Sequence, residues 1–238
     1  MTSEPGVPAD LPGVFGHMAE ALEPRYDLID TMDLIVQSAV ASTAAVDAGI
    51  VLADSAGVLH LLASTSERTS DVEDVQVETL QGPCMDSYRF GQTVETPRLS
   101  AVRGRWPRFV QVAEQRGFRA GHAVPITLRG RHLGALNLFL DRPSVLTDSD
   151  SAVAQLLAQV ATTGIVQRRV LQRHAQPGGQ FQRALAGRIL IEQAKGALAY
   201  QRDVSIDEAF TLLRAYARRT GARIRDVAEQ VVNRRATI

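Results

Sequence analysis

The sequence predicts an α/β domain, an antiparallel sheet with flanking helices, followed by a small all-α module of three helices. Three observations carry this. Two pairs of short apolar runs surround turn residues and read as β-hairpins. Stretches with apolar residues at helical spacing lie before, between and after them. Beyond Gln176-Pro177-Gly178-Gly179-Gln180 every segment has helical periodicity and the composition turns basic.

Taken in order, residues 1–13 carry Pro5, Pro8 and Pro12 without periodicity and read as a loose tail. From about Tyr26 to Asp47, Leu28, Ile29, Met32, Ile35, Val36, Ala39 and Val40 mark a helix. The first hairpin pairs Ala48–Ala53 with Val58–Ala63 around Asp54-Ser55-Ala56-Gly57. Ser64 to Thr79 is polar and acidic and reads as a loop leading into a helix, broken by Gly82-Pro83-Cys84. Trp106 to Arg116 reads as a helix ended by Gly117. The second hairpin joins Ala123–Leu128 to Leu133–Leu140 across Arg129-Gly130-Arg131-His132. Both faces of its later strand are apolar, which suits a central strand. Thr147, Asp148 and Ser149 offer caps for a helix running to about Arg173. The implied organisation is a tail (1–13), an α/β domain (14–174), a linker (175–180) and a helical module (181–238).

In that last segment, helix one spans about Phe181–Arg202. Helix two opens on the capping box Ser205-Ile206-Asp207-Glu208, buries Ala209, Phe210, Leu212, Leu213, Tyr216 and Ala217, and stops near Gly221. Helix three, about Ile224–Arg235, buries Val227, Ala228, Val231 and Val232. Three helices in fewer than sixty residues make a marginal core, so tethering to a larger domain or dimerisation would help it.

Composition narrows the function classes. Apolar residues make up 45% and charged residues 22%, an ordinary globular balance. The most apolar stretch, Ala39–Ala53, is cut by Asp47 and does not suit a membrane span. The first sixteen residues lack the basic start and apolar core of a secretory signal, and one cysteine permits no internal disulfide. A cytoplasmic protein is expected. The formal net charge of zero hides a split. Residues 181–238 hold eleven basic against six acidic groups, a net of +5, which leaves −5 on the rest. Such asymmetry suits a nucleic-acid surface, and equally a solvated helical face.

Within helix one, Ile191-Glu192-Gln193-Ala194-Lys195-Gly196 stands apart. Lys195 is the one lysine among 26 basic residues. A mid-helix glycine costs about 1 kcal/mol relative to alanine, so Gly196 implies close approach of another helix or of a ligand backbone. Gln193, Lys195, Arg214, Arg218 and Arg219 suit one basic, hydrogen-bonding patch; a structural glycine among solvated charges is the alternative. The segment from Leu185 to Val232, with IEQAKG, then S-x-x-E-A-F-x-x-L-R-x-Y-A-R and R-D-V-A-x-x-V-V, resembles an ANTAR domain. The resemblance implies an RNA-binding module of transcription antitermination that holds paired stem-loops in nascent transcripts, generally as a homodimer. Splayed loop bases and phosphates suit arginine-rich helices. Arg188, Gln193, Lys195, Arg214, Arg218 and Arg219 are the expected RNA contacts. Asp203 stands where the family usually has Gly, and Asp tolerates left-handed backbone better than most residues. Ala197 is smaller than the family's branched residue.

The N-terminal region resembles a GAF domain through its entry helix, Leu80–Gln92 (LQGPCMDSYRFGQ) and Ala123–Leu138 (AVPITLRGRHLGALNL). This implies an α/β sensor cupping a small-molecule or protein signal. Cys84, His60 and His122 are candidate pocket residues. Cys84 reads first as a small buried hydrophobe, and alternatively as a reactive thiol at a helix N-terminus. The five histidines lack metal-ligand spacing, and no P-loop, nucleophile-elbow or zincin motif occurs. No cofactor, metal or catalytic activity is expected. A GAF-like sensor controlling an ANTAR-like RNA binder is the resulting expectation. Its rivals are a DNA-binding regulator and a GAF-fold redox enzyme using Cys84.

Overall fold

The computed structural model describes residues 25–171 and 179–233, with isolated positions beyond them. The expected tail and most of the expected linker lie outside the described residues. Helix α1, Leu28–Ser42, starts where the Asp27 carboxylate accepts from the amides of Ile29 and Asp30 while Asp30 returns to the Asp27 amide. Strands β1 (Asp47–Ala53) and β2 (Leu59–Ser64) form the first hairpin. Asp54 closes its turn by accepting from Ala56 and Val58, and Gly57 takes φ +83°.

The stretch expected as a loop leading into a helix is helical almost throughout. Helix α2, Glu67–Thr79, is capped by Ser66 and buries Thr69, Ser70, Val72, Glu73 and Gln76. Four of those five are polar, so no apolar stripe announced it. Helix α3 (Pro83–Phe90), a three-residue strand β3 (Val94–Thr96), a 3₁₀ turn (Leu99–Val102) and helix α4 (Pro107–Gln115) follow. Strands β4 (Ala120–Leu128) and β5 (Arg131–Leu140) turn on Arg129 and Gly130, at φ +47° and +77°, the two left-handed residues of a tight hairpin. Helix α5, Asp148–Leu171, is capped by reciprocal bonds between Thr147 and Asp150.

All strand pairs are antiparallel and the order is β2-β1-β5-β4-β3, so β5 is central as expected. One face of the sheet, with Ile50, Val124, Ile126, Leu136 and Leu138, packs on α1 and α5. On the other, Val51, Leu61, Ala135 and Phe139 meet α2, α3 and α4. Leu133, out of step with Leu136 and Leu138 by simple alternation, nevertheless joins them on the α1/α5 side. The β4–β5 register shifts there, leaving Leu133 as the extra residue of a bulge.

The helical module is α6 (Gly179–Arg202), α7 (Ile206–Thr220) and α8 (Ile224–Val232). Helix α6 takes in Gly179 and Gln180, expected in the linker. The Ser205–Glu208 capping box forms as its spacing predicts, and Gly221 ends α7 at φ +65°. Leu212 and Val232, expected in the core, sit at its rim, each 37% exposed. The core does not stop at the module: Ala184, Ile191, Ala194, Phe210 and Ile224 belong to the same apolar cluster as Ile29, Met32 and Leu62. Close approach of helices occurs at Gly187, where a Cβ would fall 2.6 Å from Ile29 Cδ1 on α1. Gly196, singled out from sequence for that role, has nothing within 4 Å of its Cβ position.

Asp203 adopts φ +53° at the end of α6, the left-handed conformation that a glycine takes freely. Asp203→Gly is expected to leave stability within about 1 kcal/mol of wild type or raise it, while Asp203→Val lowers it by about 1–3 kcal/mol. Urea unfolding of the two variants measures both.

Candidate nucleic-acid interface

The six residues expected to contact RNA divide into two groups. Gln193, Arg218 and Arg219 are exposed, and the Arg219 guanidinium lies over the Tyr216 ring, 5.0 Å from its centroid. Arg188, Lys195 and Arg214 instead point into the seam between the helical module and the α/β domain. Lys195 is 1% exposed. Its Nζ pairs with Glu67 in the first turn of α2 and with Glu192 at 2.7 Å, and sits 4.8 Å from the centre of the Phe210 ring. On the opposite side of the seam from Glu192, Glu67 also donates its backbone amide to Asp207 of α7 at 2.9 Å. A buried ammonium without such partners would be strongly disfavoured, and an aromatic face adds to its stabilisation.

Arg214 stacks on Phe210 at 3.5 Å, Nε donates to both oxygens of Asp33 at 2.9 and 3.1 Å, and Nη2 donates to the Ser64 carbonyl at 2.9 Å. Arg188 Nη1 donates to the Leu61 carbonyl at 2.7 Å. Lower in the seam, Asp30 accepts from the amide of Ile224, the first residue of α8, at 2.8 Å. Burial, with help from the adjacent Asp27 charge, pushes the Asp30 carboxyl up to about 7. These α/β-domain acids were missed in the sequence, because nothing local ties Asp33 or Glu67 to a residue more than a hundred positions away. Tyr200, 90% exposed on α6, was also missed; an aromatic in a helix otherwise patterned for burial was its signal.

The candidate pocket residues do not converge. Cys84 lies fully buried among Val51, Leu59 and Ala135 on the α2/α3 side of the sheet. His122 follows the alternation of Val124 and Ile126 toward the α1/α5 side, its Nε2 donates to the Ser144 carbonyl at 3.2 Å, and burial lowers its imidazole pKa. His60 bonds Asp54, meets Phe181 edge-on, and lines a cavity of about 540 Å³ between β2, α2 and α6.

Beside Cys84 lies a buried polar centre. Glu73 Oε1 accepts from Asn137 Nδ2 at 2.7 Å and Oε2 accepts from Gln76 Nε2 at 2.8 Å, while Gln76 Oε1 accepts from the Cys84 amide at 3.0 Å. Gly82 leaves room for this: a Cβ there would fall 2.2 Å from Gln76 Oε1, and its φ is +126°. Burial pushes the Glu73 carboxyl up to about 8 and the Cys84 thiol well above the ordinary thiol range. A thiol held protonated in this way is a poor nucleophile. Protonated Glu73 has an acceptor at hand, since Asn137 Oδ1 is without a partner and the amide can turn over. Among the described residues no group of His, Cys, Asp and Glu is placed to hold a metal, and no helix is long and apolar enough to cross a membrane.

The sheet with helices on both faces is shared with solved GAF structures. The GAF domain of an Acinetobacter phosphoenolpyruvate-protein phosphotransferase aligns at TM-score 0.56 and 16% identity, over 67% of this chain and 94% of that one. Its counterpart from Coxiella burnetii aligns at 0.54 and 14%, over 69% and 99%. The free methionine-R-sulfoxide reductase of Neisseria meningitidis, solved with its substrate, aligns at 0.53 and 14%, over 71% and 99%. At such identities the likeness is one of fold, shared by regulatory domains and by an enzyme alike. The first unit is thus an α/β domain of GAF type. Residues 26–166, more than half of the chain, match the GAF domain family, and residues 179–232 match the ANTAR domain family. The chain belongs to the GAF domain family and carries a C-terminal ANTAR domain. ANTAR domains are RNA-binding antitermination modules and GAF domains are sensor domains. No curated protein sequence matches the chain.

Glu73 sets a pH dependence. Its carboxyl titrates near 4.5 in the unfolded chain and about 8 in the fold, so the folded state holds more protons between those values. Its contribution is therefore complete below pH 4.5 and lost as pH rises through about 8. Glu73→Gln is expected to flatten the fall in stability between pH 5 and 8, measured by urea unfolding across that range.

Proposed function

We propose that this protein is a transcription antitermination regulator whose GAF domain controls an ANTAR domain that binds tandem RNA stem-loops. The observation that carries this is the family match over 179–232, joined to an exposed surface suited to RNA. Arg218 and Arg219 stand in solvent at the last turn of α7. Gln193, Gly196 and Tyr200, at spacings of three and four, share one open face of α6. The clear space over Gly196 admits a nucleotide backbone, and a solvent-facing Tyr and Arg offer stacking surfaces for splayed bases. Two chains holding two stem-loops would make the active species a homodimer. Its work belongs with nascent transcripts in the cytoplasm, and the GAF domain takes a small-molecule or protein signal.

Arg188, Lys195 and Arg214 belong in our reading to the same RNA-contacting set, Lys195 and Arg214 by their positions in the family motif and Arg188 by its place on the same helix as Lys195. Fluorescence anisotropy with tandem stem-loop RNA, a single stem-loop and duplex DNA tests the reading. Tandem RNA is expected to bind best, with affinity falling steeply as salt rises. Preference for duplex DNA would replace an RNA regulator with a DNA-binding one. Arg218→Glu/Arg219→Glu is expected to weaken tandem-RNA binding at least tenfold with helical content unchanged by circular dichroism, and to flatten the salt dependence.

A further inference from the structure

The α/β domain offers the helical module a face already matched to its cations. Glu67 and the Lys195 ammonium, Asp33 and the Arg214 guanidinium, and the Leu61 carbonyl and Arg188 are paired across the seam. Asp30 and Asp27 add the Ile224 amide and Arg225, the latter at 3.6 Å. The +5 on residues 181–238 thus docks on the part of the chain that carries −5. Carboxylates and carbonyls are the same acceptors that phosphates and base edges present, at the same bond lengths. One set of donors cannot satisfy both at once.

We infer that the acidic face formed by α1, the end of β2 and the first turn of α2 is an intramolecular competitor for RNA, and that Glu67 and Asp33 form its latch. This rests on the RNA-binding reading above and names the regulation of that site. In the docked arrangement Lys195 and Arg214 are out of reach, so RNA must displace the module from α1 and β2 to engage them. An interface open only a fraction of the time binds with its intrinsic affinity reduced by that fraction. The latch is wired to the interior of the GAF domain through one helix: α2 carries Glu67 at its first turn and Glu73 and Gln76, beside Cys84, further along.

Two full-chain variants open the seam by unrelated means. Glu67→Gln/Asp33→Asn removes the latch charges. Gly187→Leu inserts a side chain where a Cβ alone would fall 2.6 Å from Ile29, and improves rather than harms the helix it sits in. Hydrogen exchange at residues 28–37 and 59–67 reports the docked state, and anisotropy reports tandem stem-loop RNA. Both variants are expected to lose protection in those segments and to bind RNA at least tenfold more tightly than wild type. RNA added to wild type is expected to remove the same protection. Unchanged affinity in variants that have lost protection would overturn the competition, as would wild type that binds RNA with its protection intact. Protection unaltered in both variants would overturn the latch. If no form binds RNA although the seam has opened, the RNA reading itself falls and takes this inference with it.

Discussion

The placement of the Lys195 ammonium governs the arrangement of both domains. A cation that is 1% exposed cannot stand alone in an apolar seam, and its pairing with Glu192, Glu67 and the Phe210 face requires α6, α2 and α7 to meet at one point. Glu192 lies on its own helix and Phe210 on the next. Glu67 belongs to the other domain, so the charge is complete only when the two are docked. Phe210 is shared between Lys195 and Arg214, which couples the α2 contact to the α1 contact through one ring.

Around that point the apolar core runs without interruption from the sheet, across α1, into the three helices. A module of fewer than sixty residues buries too little by itself for much stability, and here it borrows α1 as a fourth wall. Helix α1 thereby serves two partners: it packs on β1 and β2 of the sheet, while Ile29 is met at Gly187 and Asp30 caps α8. A surface that must close over charged groups is easier to release than a wholly apolar one. The polar pairs at the seam suit a contact that is made and broken.

The interior of the GAF domain follows a different logic. Glu73, Gln76 and Asn137 form a buried hydrogen-bonded set against the central strand, with one acceptor, Asn137 Oδ1, unused. Within that set the unused oxygen is where a ligand or a proton has most to gain. The elements that carry it were only partly legible. The hairpins, the central β5, α1, α5 and the capped α7 follow from periodicity and turn chemistry. Helix α2 was expected only as the continuation of a loop, and its early start at Glu67 was not legible, because its inward face is polar and periodicity counts only apolar residues. Strand β3 is three residues long, too short to show alternation.

By itself, the sequence determined the two units, their fold classes, the left-handed Asp203 and the family motif with Lys195 at its centre. Those are local properties: spacing, capping, backbone preference and order of residues. Only the tertiary structure decided which cations face solvent and which are held. Lys195, Arg188 and Arg214 look in the sequence like Arg218 and Arg219, and they differ through acceptors supplied from 128, 127 and 181 residues away. The same holds for the glycines, where Gly187 rather than Gly196 takes the close helix contact. Burial and charge pairing are sums over neighbours in space, and a one-dimensional pattern contains the residues but not the neighbours.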